Sequence, residues 1–61
     1  MTRRDLDHLA DLRARRTAAA ARIDELTDEL ERHPRPALRD RIGALAAVIN
    51  HIDRRLAELS T

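Results

Sequence analysis

Apolar residues recur every three or four positions through both halves of this chain. Leu9, Leu12, Arg16, Ala19, Ile23, Leu26 and Leu30 form one stripe, and Leu38, Ile42, Leu45, Ile49, Ile52, Leu56 and Leu59 form a second. Alternating steps of three and four keep a single seam along a coiled-coil helix. Folding the chain back between His33 and Pro36 stacks the stripes layer on layer. One register satisfies every layer: Leu30 with Leu38, Leu26 with Ile42, Ile23 with Leu45, Ala19 with Ile49, Arg16 with Ile52, Leu12 with Leu56 and Leu9 with Leu59. Neither half alternates polar and apolar residues with period two, so no strand is expected. The pattern predicts an all-α fold, a two-helix antiparallel coiled-coil hairpin spanning residues 1–61 as one domain.

The ends of the elements follow from local chemistry. Thr2 and Asp5 have the spacing of a capping box, and Asp5 and Asp7 put negative charge near the unpaired amides of a helix start. Pro34 disfavours helical backbone at His33, while Pro36 suits the first position of a new helix. The expected elements are a helix over 3–32, a turn over 33–35 and a helix over 36–59. Arg54 and Arg55 are expected to complement the dipole in the closing turns of the second helix. Gly43 costs that helix about 1 kcal/mol relative to alanine, which implies either close approach by another backbone or tolerance in a long helix.

With Leu9 as position a, the two flanks of the seam differ. The e flank carries Leu6, Arg13, Ala20, Thr27, Arg39, Ala46 and Asp53; the g flank carries His8, Arg15, Arg22, Glu29, Arg41, Val48 and Arg55. Ala20 and Ala46 fall opposite one another, with Ala47 and Ala21 nearby. Together with Leu6 these small residues make the e flank the expected oligomer interface. Arg16 interrupts the apolar seam. Asp53 lies beside its layer, so an Arg16–Asp53 pair is expected to fix register; alternatively, the long arginine stem packs in the seam and its head reaches water. On the g flank Arg15, Arg22, Arg41 and Arg55 are candidates for contact with an acidic protein partner or with nucleic-acid phosphates. The register sets Arg15 against Arg55 and Glu29 against Arg41. Asp11 and Glu58 could instead neutralise Arg15 and Arg55 within their own helices.

Composition sharpens the need for a partner. A chain of 61 residues buries only roughly 60% of its unfolded surface, so a lone core is marginal. There is no cysteine, no zinc-binding arrangement and no aromatic residue to supplement it. Dimerisation into a four-helix bundle is the expected remedy. The charges almost cancel, with twelve basic residues against eleven acidic ones, and every basic residue is arginine. Such a balance does not announce a nucleic-acid or membrane binder. Arg3 and Arg4 are followed by acidic residues rather than an apolar run, so neither a signal peptide nor a membrane span is expected. The expected setting is the cytoplasm of a bacterium with a GC-rich genome, or of its phage.

No catalytic or metal site and no cofactor is expected. His8, His33 and His51 lie at different heights along the hairpin and cannot share a metal within one chain. Asp24, Glu25, Asp28, Glu29 and Glu31 are spread over the outer surface and lack the enclosure that acid–base chemistry needs; they are expected to meet Arg32, Arg35, Arg39 and Arg41 around the turn. The segment Ile49-Asn50-His51-Ile52-Asp53-Arg54-Arg55-Leu56 resembles the opening helix of the small all-helical chorismate mutases. Those enzymes use further helices beyond that segment, and their activity is not carried over. In length and hairpin layout the chain resembles the Rop family of plasmid RNA-binding regulators, which implies a four-helix RNA binder as the alternative function. The expected function is a non-enzymatic, self-associating interaction or regulatory module that binds a protein partner.

Overall fold

The computed structural model describes residues 2–60. Two helices, α1 (Arg3–Arg32) and α2 (Pro36–Ser60), pack against each other as a hairpin, and no strand is present among the described residues. The molecule is a rod of 46 × 14 × 12 Å. Its length is that of one thirty-residue helix at about 1.5 Å per residue.

Local chemistry accounts for the ends. Thr2 is the N-cap of α1: its side chain accepts from the Asp5 amide at 3.2 Å, and Asp5 accepts from the Thr2 amide at 3.4 Å. Both satisfy amides that a helix start leaves unpaired. At the other end the His33 amide donates to the Glu29 carbonyl at 2.7 Å, and non-helical backbone at His33 and the two prolines then turn the chain. Pro36 occupies the first turn of α2, and the Leu38 amide donates to the Arg35 carbonyl at 3.1 Å.

The far end of α2 departs from expectation. The helix runs one residue further, to Ser60, and its last turn holds no basic residue. Arg54 and Arg55 therefore stand more than a turn from the terminal carbonyls, too far to complement the dipole. The Ser60 hydroxyl donates back to the Leu56 carbonyl at 2.8 Å.

Leu9, Leu12, Ala19, Leu26, Leu38 and Ile52 are buried, and Leu26 is the most enclosed at 2% exposure. Ile23, Leu30, Ile42, Leu45, Ile49, Leu56 and Leu59 are only half-buried. A side chain at Gly43 would meet no atom within 4 Å. Close approach within the hairpin therefore does not explain this glycine.

Candidate interaction site

The division between buried and half-buried seam residues is systematic. Of the d positions, Leu12, Ala19, Leu26, Leu38 and Ile52 are buried, with Leu45 and Leu59 half-buried. Of the a positions only Leu9 is buried; Ile23, Leu30, Ile42, Ile49 and Leu56 are half-buried and Arg16 is exposed. On a heptad wheel e lies beside a and g lies beside d. Both helices therefore turn their d residues into the contact and leave the a/e side partly open. In an antiparallel pair the two e flanks lie on the same side, so these half-covered residues form one face.

The centre of that face is small and apolar. Ala20 is half-buried, Ala46 and Ala47 are exposed, and Ile23, Ile42 and Ile49 flank them. Leu6, at 54% exposure, continues the e flank toward the start of α1. Val48, the other large apolar residue on the surface at 47%, belongs to the g flank on the opposite side.

Arg16 and Asp53 lie within the face, between its alanine centre and Leu56. The Arg16 Nε donates to Asp53 Oδ1 at 2.6 Å and an Nη donates to Oδ2 at 3.5 Å, with both side chains close to half-exposed. The guanidinium is paired across the hairpin with Asp53, the first of the two alternatives read from the sequence. Donation to the carboxylate, and then attraction by its charge, hold the Arg16 guanidinium above its ordinary pKa. A shift in the alternation of the helices would separate these partners, which ties the pair to the register.

The g flank is occupied by short-range ion pairs. Arg15 meets Asp11 at 3.1 Å, Arg22 meets Glu25 at 2.9 Å and Arg55 meets Glu58 at 3.6 Å, each within its own helix. Arg41 makes no ion pair among the described residues, and the Glu29–Arg41 attraction is not formed. The expected meeting of carboxylates with Arg32, Arg35, Arg39 and Arg41 around the turn is likewise not formed. Asp24, Glu25, Asp28 and Glu31 occupy b, c and f positions, which face away from the opposing helix, and Glu25 is already engaged by Arg22. His8, His33 and His51 are all exposed.

An open cleft of about 480 Å³ lies at the turn, lined by Leu30, Glu31, Pro34, Arg35, Pro36 and Arg39. Among the described residues no group of three His, Cys, Asp or Glu is placed to hold a metal ion, and no buried side-chain polar atom lacks a partner. Among the described residues no helix is long and apolar enough to cross a membrane.

One feature of the surface escapes a reading based on heptads alone. From Ile42 to Ile52, about three turns, α2 carries no Asp, Glu, Lys or Arg on any side. Gly43, Ala44, Ala46, Ala47, Asn50 and His51 are nonetheless exposed. A helix without a charged face is ordinarily covered. Scanning α2 for charge on its outer positions, rather than for the seam, reveals this stretch. Set against protein-family models, curated proteins and solved structures, the chain matches none of them.

Proposed function

We propose that the chain is a non-enzymatic interaction module that acts as a homodimer, two hairpins closing their a/e faces into a four-helix bundle. The observation carrying this reading is the asymmetry of the seam: Leu12, Ala19, Leu26, Leu38 and Ile52 at d are buried, while Ile23, Leu30, Ile42, Ile49 and Leu56 at a stay half-buried. A second hairpin on that side would bury those isoleucines and leucines, adding apolar area at about 25 cal/mol per Å² to a chain with little other core.

The dimer would display its g flanks to a protein partner. The alternative of Rop-like RNA binding asks four arginines to present free charge to phosphates. Three of the four, Arg15, Arg22 and Arg55, already hold a carboxylate of their own helix, and no aromatic residue is present for base stacking. These facts favour the protein-binding reading.

Ala46→Glu tests the face. It should reduce the mass in sedimentation equilibrium to that of a monomer, whereas Ala44→Glu, on the opposite c position, should leave it dimeric. Equal masses for Ala46→Glu and wild type would remove this face from the interface.

A further inference from the structure

Resting on the proposed self-association, we infer how the two copies dock: hairpins antiparallel, with α2 of one copy packed on α2 of the other about a two-fold axis through the Ala20–Ala46 layer. Self-complementarity is the requirement of such an axis, because a residue lying some distance before it must suit the residue lying equally far after it. On the e flank of α2, Arg39 and Asp53 stand seven residues either side of Ala46, about 10 Å in each direction. The axis therefore sets Arg39 opposite the partner's Asp53, twice, and Ala46 opposite the partner's Ala46. Ile42 falls beside the partner's Ile49, so the half-buried a residues cover one another. On α1 the same axis sets Ala20 against the partner's Ala20, bringing four alanines to the centre and allowing the helices to approach closely.

Two further facts select this docking over the parallel one. Arg39 makes no ion pair within its own hairpin among the described residues, and antiparallel docking supplies it with a carboxylate. Asp53 then sits between Arg16 of its own chain, at 2.6 Å, and the partner's Arg39. Parallel docking would pair Arg13 with the partner's Asp53 but gather both Arg39 side chains at one end opposite threonine. The uncharged stretch Ile42–Ile52 points the same way. Against α2 of another copy, Gly43, Ala46 and Asn50 meet a surface equally free of charge. Against α1 they would meet the helix that carries Asp24 and Arg16.

Sedimentation equilibrium of the wild-type chain, followed by two variant sets, tests the docking. The chain has no cysteine, so Ala46→Cys is a clean probe: oxidation should link it to itself, while Ala44→Cys should stay unlinked. Arg39→Glu and Asp53→Arg each place like charges opposite one another and should raise the dimer dissociation constant roughly tenfold. An equimolar mixture of the two should associate more strongly than either variant alone, since residue 39 of each chain then faces an opposite charge at residue 53 of the other. If the wild type is dimeric and Ala46→Cys links only to Ala20→Cys, the parallel docking is correct and this one fails. A mixture that associates no better than its components, in a dimeric wild type, also overturns this docking while leaving self-association intact. A monomeric wild type overturns both.

Discussion

Leu26→Ala removes the most enclosed side chain of the hairpin, at 2% exposure. Three carbons leave the seam, which costs about 2.5 kcal/mol at ~0.8 kcal/mol per methylene. A rigid cavity would raise the total toward about 5 kcal/mol. Ile23, Leu30 and Ile42, all half-buried, lie on neighbouring seam positions and retain room to shift into the gap. The expected loss is therefore in the lower part of that range, roughly 2.5–3.5 kcal/mol. Total stability for a chain of this size is on the order of 3–9 kcal/mol, so the variant should be close to unfolding. Urea titration followed by far-ultraviolet circular dichroism, at one fixed protein concentration, measures the difference as a lower midpoint with an unchanged slope. Val48→Ala, on the exposed g flank, should stay within about 0.5 kcal/mol of wild type. A Leu26→Ala midpoint within that margin, or an equal loss from Val48→Ala, would refute the assignment of d as the buried edge of the seam.

Further outcomes follow from individual contacts. Thr2→Ala opens the capping box and should cost roughly 0.5–1 kcal/mol, read as faster amide exchange in the first turn of α1 with the last turn of α2 unchanged. Arg16→Leu should raise the thermal midpoint, because a leucine fills the seam while a half-exposed ion pair contributes little; the same variant should broaden backbone resonances if the pair holds the register. Because Arg16 has a raised pKa, its stabilising effect is present below the ordinary guanidinium range and lost only as pH rises through its folded value. Its titration should therefore leave the midpoint unchanged between roughly pH 6 and pH 9. Gel-shift assays with structured RNA and duplex DNA should show no selective sub-micromolar binding at physiological salt. Selective binding abolished by Arg15→Glu with Arg55→Glu, with a salt slope of about one unit per lost contact, would favour the Rop-like alternative.

The hairpin itself was legible because each of its signals is local and they agree. Thr2 and Asp5 start α1, Pro34 and Pro36 leave room for one short turn, and a turn that short admits one alignment of the two stripes. That alignment placed Asp53 beside the layer of Arg16, where the ion pair forms. The rotation of each helix about its own axis was not legible. Leucine and isoleucine at a and d read alike in a heptad, and only packing decides that the d residues enter the contact while the a residues stay at its open edge. Long-range charge was read less well than short-range charge. Arg22 takes Glu25 three residues away, and the carboxylates at b, c and f face away from Arg39 and Arg41 on the other helix. The partner was not legible at all, since an alanine surface suits close packing without naming the chemistry of what packs on it.

If a second copy closes the half-open seam, the thermal midpoint of the wild-type chain depends on protein concentration, measured over a hundredfold range on the order of 1–100 μM. Association confined to the folded state should make the midpoint rise steadily with concentration. A cooperative transition whose midpoint does not move on dilution, in a chain that sediments as a monomer throughout, would contradict it.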